Sequence, residues 1–443
     1  MRKALILALV LALPAAPARA EDLLQVYRDA QAYDAVYSGA RYALEAGREK
    51  LPQGRALLLP TVNLSGNVTR TQNQLDSKDP TVTSSFDRSP RIYGYQLTLS
   101  QPLFRMQNIY QYDQGELQAK QAEAVFGQAT QDLILRVAQA YFDVLAAQDG
   151  IALVQAQKSA ISEQLAQAKR NFEVGTATIV DTHEAQARYD LSAAQEIAVQ
   201  NDLESRKRAL QQITGKEYPA GLKPLRADIK LSPPEPNNMQ SWVDLAEKQS
   251  YPVLVQDAST QIAALESKRN SAAHLPTLDI VASRGLTDQT STLTSPVGNT
   301  LTVTSIGVQL NLPIYQGGLL SSRDREAAAL ALKSKDDLEN ARRSSALTAR
   351  QAYLAVINGV AQVGALEQAR VSSQSALDSN KVGYEVGVRI NIDVLNSQQQ
   401  LFSTERDLAV ARYNTIANQL RLKAAAGSLS EQDLEVVNRA LAP

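Results

Sequence analysis

Two stretches of this chain are near copies of one another, and their spacing constrains what it can fold into. FEVGTATIVD (172–181) recurs as YEVGVRINID (384–393) at an offset of 212 residues. The same offset carries Ala140-Tyr141 onto Ala352-Tyr353 and Gly215 onto Gly427. Each glycine-containing copy lies between long, proline-free runs with apolar residues at helical spacing, so each reads as the bend of a long helical hairpin. The fold is expected to be a doubled one.

The N terminus reads as an export signal. Met1-Arg2-Lys3 is basic, residues 4–14 are nearly all apolar, and Ala18-Arg19-Ala20 is a small-residue cleavage motif giving a mature start at Glu21. The alternative, a membrane anchor, is weakened by the short apolar run. The chain then divides into a signal peptide (1–20), a first repeat (21–214), a linker (215–240), a second repeat (241–427) and a tail (428–443). Each repeat holds a helix, a β-hairpin (61–101 or 277–312) and a long helical hairpin (107–213 or 323–426). The first helix is expected to run from Glu21 to about Lys50, ended by Pro52 and Gly54. The linker carries five prolines within 215–236, and it and the tail are expected to pack together beside the helices. The tail's Leu434, Val436, Val437 and Leu441 suffice for a short amphipathic helix.

From Thr61 the period changes from 3.6 to 2. Val62, Leu64, Gly66 and Val68 alternate with polar residues, as do Tyr93, Tyr95, Leu97 and Leu99 after a polar segment at 70–91. Leu278, Ile280 and Ala282, then Ile306, Val308, Leu310 and Leu312, repeat the pattern around a loop at 286–300, and Pro102 and Pro313 are expected to close their strands. A half-buried soluble sheet is one reading. A transmembrane β-barrel is the sharper one, because strands of about 9–11 residues with an apolar and a polar face, long loops at one end and aromatics towards the other are its signature. Four strands cannot close such a barrel, and open edges cannot face hydrocarbon, so several chains must share one. Two chains would supply eight strands and three would supply twelve.

Chemistry is sparse. Cysteine is absent, the two histidines (His183, His274) are unrelated in position, and no phosphate loop or nucleophile elbow occurs, so neither an enzyme nor a cofactor is expected. With 45 basic and 46 acidic residues, nothing points to a nucleic-acid partner. No later segment reaches the roughly 18 apolar residues of a spanning helix.

The LPT strand entries, the two glycine bends, ARYNTIANQLRLKAAAG (411–427) and LSEQDLEVVN after it together resemble the TolC family of outer-membrane efflux proteins. The resemblance covers the whole mature chain. It is closer to the branch that gives the family its name than to the lipid-anchored one, because no cysteine stands near the mature start. It implies a mainly α fold with a membrane β-barrel. In it, a homotrimer shares a twelve-stranded barrel in outer-membrane lipid of a Gram-negative bacterium, and long helical hairpins form a periplasmic tunnel. It further implies a periplasmic adaptor and an inner-membrane RND or ABC transporter as partners, in tripartite efflux of drugs or type I secretion of proteins.

The resemblance also assigns residues. Tyr384 and Arg389 match a closed-state network that faces Asp181 across a chain interface. Asp393 matches the first of two aspartate rings at the tunnel entrance, whereas Asn396 stands where the second would be, leaving three carboxylates in a trimer instead of six. Such rings favour cations, although Asp393 also stands where a helix cap would. Gly175 and Gly387 fit the bends themselves, and the exposed Val174 and Val386 beside them suggest docking of the adaptor. Two other readings use the same features: a structural trimeric coiled-coil surface protein with a small barrel anchor, and a soluble periplasmic scaffold. A stalk would have a dry apolar core, whereas a duct has polar residues facing a wet lumen.

Overall fold

The computed structural model describes residues 20–76, 78, 81, 86–226, 229–291 and 297–442. The export signal expected at 1–20 lies, but for Ala20, outside the described residues. Helices α1 (Leu23–Tyr33), α2 (Ala35–Arg48) and α3 (Lys50–Ala56) precede strand β1 (Thr61–Arg70). Short β2 (Asn73–Leu75) and β3 (Phe86–Arg88), then β4 (Arg91–Phe104), α4 (Met106–Glu173) and α5 (Ile179–Thr214), complete the first half. The second half runs α6 (Met239–Gln249), α7 (Tyr251–Ser271), a 3₁₀ turn, β5 (Thr277–Gln289), β6 (Asn299–Asn311), α8 (Leu319–Glu385) and α9 (Asn391–Ala425), and α10 (Glu431–Arg439) follows. These segments form two compact units, one from residues 42–125 and 254–341 and the other from the remainder.

The first of these units holds an antiparallel sheet in the order β1-β4-β5-β6. Its register sets Val62 opposite Leu99, Leu64 opposite Leu97 and Val68 opposite Tyr93. Leu278 likewise faces Leu310, and Ile280 faces Val308, so these apolar side chains share one face; Arg284, opposite Leu97, interrupts it, and Leu301 and Val303 lie on the other face. The outer strands β1 and β6 are exposed along their whole length. β4 does not stop at Pro102 as expected. It continues to Phe104 through a register shift between Pro102 and Phe104, an irregularity that tolerates a residue without an N–H. The polar segment at 70–91 contains a further strand pair, β2 with β3. The loop expected at 286–300 is shorter, since β5 reaches Gln289 and β6 starts at Asn299.

Helices in this unit approach closely at glycine. A Cβ on Gly115 would stand 2.6 Å from the Lys50 carbonyl oxygen, so a glycine that looks merely tolerated in α4 is a contact with α3. Glutamines bond laterally: Gln114 donates to Glu266 at 2.9 Å and Gln121 to Ser259 at 2.7 Å.

In the other unit, the single helix expected from Glu21 is interrupted. Asp34 leaves helical geometry, accepts the Tyr37 N–H at 2.7 Å to start α2, and receives both Arg136 guanidinium nitrogens at 2.8 and 3.0 Å. In α3, which belongs to the sheet-bearing unit, Pro52 does not end a helix but stands in its first turn, where a missing N–H costs nothing. The core joins Leu23, Val26 and Tyr27 of α1 to Leu133, Tyr141, Phe142 and Leu145 of α4, Tyr413 and Leu420 of α9, and Leu434 of α10. Each such side chain, fully buried, contributes about 1.5–3 kcal/mol. Tyr413 stacks on Phe142 at 5.7 Å. Linker and tail meet here: Arg226 N–H donates to the Ala440 carbonyl at 3.0 Å, and Ala442 N–H to that of Pro224 at 2.8 Å. In α10 Leu434 and Val437 are buried while Val436 is exposed, as an amphipathic helix requires, whereas Leu441, expected in that helix, follows it and bridges to Leu225.

Candidate functional site at the helical bends

Both bends lie in the unit without the sheet. After α4, Gly175 takes φ +76°, and the Thr176 and Ala177 N–H groups return to the Asn171 carbonyl at 2.8 and 3.2 Å. After α8, Gly387 takes φ +78°, with Val388 and Arg389 N–H on the Gly383 carbonyl at 2.9 and 3.0 Å. Nothing lies within 4 Å of where a Cβ would be at either glycine, so the demand is for left-handed backbone and not for space. Beside them Val174 and Val386 are 72% and 68% exposed.

The copies part company at the start of the returning helix. Thr178 caps α5 in a reciprocal box: its N–H and hydroxyl donate to the Asp181 carboxylate at 2.9 and 2.8 Å, and Asp181 N–H returns to its hydroxyl oxygen. At the equivalent place in α9 stands Ile390, which offers no side-chain hydrogen bond. The carboxylate of Asp393 is thereby left outside any cap and lies 3.6 Å from the Arg389 guanidinium, one-third exposed. Capping, plausible for Asp393 from its position, is the role of its counterpart Asp181.

Within one chain the three residues of the expected network have separate partners. The Tyr384 hydroxyl accepts from Asn171 at 3.2 Å, Asp181 serves its cap, and Arg389 faces Asp393 while its stem lies over Gly383. The expected link from Tyr384 and Arg389 to Asp181 is not formed within one chain. Asn396 lies one turn beyond Asp393 and is held: Arg188 of α5 donates to its Oδ1 at 2.9 Å and to Gln399 at 2.5 Å.

Two contributors lie outside the residues expected from the sequence. Arg188 is one, since single-helix periodicity cannot pair α5 with α9. Asn391 is the other. Fully buried, it accepts from Gln164 at 2.5 Å and donates to the Asp181 carbonyl at 3.3 Å, tying α9 to α4 and α5. Its signal was available: the 212-residue offset places it over Ile179, a polar residue replacing an apolar one. Around it Ile161, Leu165, Ala168, Ala185 and Leu395 form a small apolar cluster. Among the described residues no cluster of His, Asp and Glu could hold a metal ion.

The profile of the family described as "Outer membrane efflux protein" matches this chain twice, over residues 27–216 and 242–428, once per copy of the duplicated unit. The chain belongs to the TolC family of outer-membrane efflux proteins. It is 33% identical to the outer membrane protein TolC of Escherichia coli (strain K12) over 433 residues, 96% of this chain and 85% of that one. It is 31% identical to the proteases secretion protein PrtF of Dickeya chrysanthemi over 436 residues, 98% and 94% of the two chains. The crystal structure of the CmeC outer membrane channel of Campylobacter jejuni superposes with a TM-score of 0.78 at 16% identity, covering 95% of this chain and 90% of that one.

A member of the TolC family is an outer-membrane exit duct of an efflux or secretion system, a channel and not an enzyme. The fold is the family's, with long helices that form the tunnel and four antiparallel strands per chain. It resides in the outer membrane with a periplasmic tunnel, and membership implies the partners of such systems.

Proposed function

We propose that three copies of this chain close their sheets into one twelve-stranded barrel and that the α8–α9 bends form the entrance of the duct. The observation that carries this is the pair of unpartnered edges. β1 and β6 flank the sheet with every residue exposed, and in hydrocarbon each unpaired backbone group would cost several kcal/mol unless a neighbouring chain supplied the next strand. Four strands per chain fit a trimer's barrel wide enough for cargo better than a dimer's.

At the entrance, Asp393 is the cation-selecting carboxylate and Asn396 a neutral narrowing one turn on. Closure joins Tyr384 and Arg389 of one chain to Asp181 of the next. The exposed Val174 and Val386, carried by Gly175 and Gly387, dock the periplasmic adaptor. The residues 215–240 and 428–443 form an equatorial collar between repeats 21–214 and 241–427. Energy comes from an inner-membrane transporter of the RND or ABC type. The relatives named for protease secretion and for antibiotic efflux make both cargo classes open to it.

Native mass measurement of the detergent-extracted complex is expected to give three chains. Planar-bilayer recordings are expected to show cation preference that falls in Asp393→Ala. A monomer, or selectivity unchanged by that substitution, overturns the proposal.

A further inference from the structure

On the apolar face of the sheet, one row beyond Val68 and Tyr93, two arginines stand directly opposite each other: Arg70 of β1 pairs with Arg91 of β4. The register is unbroken from Val62–Leu99 to this pair, so alternation puts both arginines on the same face as Leu64, Val68, Tyr93 and Leu97. The backbone of Arg91 bonds to the other side. Its N–H donates to the Thr290 hydroxyl at 3.0 Å and its carbonyl accepts the Thr290 N–H at 3.1 Å. Arg70 and Arg91 are therefore a non-hydrogen-bonded pair, the arrangement in which opposed side chains come closest, with Cα atoms about 4.5 Å apart.

Like charges directly opposite on a sheet repel, and both side chains are exposed. Among the described residues neither has a carboxylate partner. Asp288, the nearest acid on that face, sits a row below opposite Tyr93 and takes the Thr300 hydroxyl at 2.7 Å. An uncompensated arginine pair that abuts an apolar band is a site for an anion.

Height identifies the anion. Val62 to Val68 spans about 20 Å of strand, close to the apolar band of an outer-membrane barrel. Tyr93 and Tyr95 occupy the last two rows of that band, where aromatic rings mark the interface. The next row up is headgroup level, at the strand ends remote from α3 and α4, hence the outer leaflet. We propose that Arg70 and Arg91 clamp a phosphate group of an outer-leaflet lipid, the guanidinium forks taking its oxygens in charge-assisted bonds. This rests on the outer-membrane placement and is independent of the entrance assignments.

The test is native mass spectrometry of the intact complex in neutral detergent, titrated with lipid A, with dephosphorylated lipid A, or with lipid A in the presence of inorganic phosphate. Lipid A is expected to bind about thirtyfold more weakly to Arg70→Gln/Arg91→Gln, from about tenfold or less per cationic side chain at a membrane surface. Arg70→Lys/Arg91→Lys is expected to retain most of the affinity. Dephosphorylated lipid is expected to bind parent and variant alike. Without lipid the glutamine variant is expected to unfold at a temperature equal to or above the parent's, and added lipid A to reverse that order. Chain count and conductance are expected to stay at parental values, which separates this outcome from failure of the proposed assembly. Equal lipid A affinity in parent and glutamine variant overturns the proposal. So does full competition by millimolar inorganic phosphate, which would make the site one for a free anion. A lipid-free glutamine variant less stable than the parent also overturns it, because the pair would then have an internal partner.

Discussion

Arg188 and Asn396 are joined across the two hairpins of one chain, guanidinium to amide oxygen at 2.9 Å. An aspartate placed at 396 would meet a cation already in position and form an ion pair with it. Asn396→Asp alone is therefore expected to change cation selectivity less than twofold. Asn396→Asp with Arg188→Gln, which leaves the new carboxylate uncompensated, is expected to raise it severalfold. Reversal potentials under a salt gradient measure both, and equal effects of the single and double variants would refute the masking.

The difference between the two helix starts predicts a loss of function by adding a cap. Ile390→Thr recreates the arrangement of Thr178, whose hydroxyl and N–H take the Asp181 carboxylate. Asp393 is then expected to turn into the cap of α9, gaining about 1 kcal/mol of stability while reducing cation preference towards that of Asp393→Ala. A variant with a higher unfolding midpoint and unaltered reversal potential would show that the carboxylate serves both roles at once.

Asn391→Ile restores to α9 the residue type that α5 carries at the equivalent position. It also removes the acceptor of Gln164 and the donor to the Asp181 carbonyl, leaving buried polar groups unpaired. The expected cost is about 1–3 kcal/mol, with the loss confined to the bends. Faster hydrogen exchange there, with an unchanged sheet, is the expected readout.

Acid sensitivity should centre on Asp34. The Arg136 guanidinium holds its carboxyl below the ordinary carboxylate range, outweighing the opposing effect of burial. A depressed folded value means that the stabilisation is fully present above the unfolded pKa of about 4 and is lost as pH falls through the folded one. Asp34→Asn is expected to cost about 1–3 kcal/mol at pH 7, and the gap between parent and variant to close below about pH 4. Thermal unfolding at pH 7, 5 and 3 checks the sign. A gap that widened in acid would exclude this ion pair as its source.

What the sequence disclosed, it disclosed through period and repetition. The change from 3.6 to 2 at Thr61, the glycines of the bends and the 212-residue offset locate the sheet and both hairpins. Breaks made by partners distant in sequence were hidden. Asp34 interrupts a run of good helix formers because Arg136, a hundred residues on, is there to receive it. Pro52 reads as a terminator until the helix is known to restart at Lys50, and Pro102 until a register shift admits it. At the bends, residue types were legible but their bonds were not. Whether an aspartate three residues into a helix caps it or is left to another partner depends on the residue three places earlier: Thr178 holds Asp181 in a cap, whereas Ile390 leaves Asp393 to Arg389.

Thr178 and Ile390 also set how freely each bend can change over generations. Substituting Asp181 undoes a helix start, so folding itself resists drift there. Asp393 has no such obligation, and a lineage can alter the charge at the proposed mouth through that position without weakening the helix behind it. Gene duplication has left one aspartate as an anchor and its twin as an adjustable part.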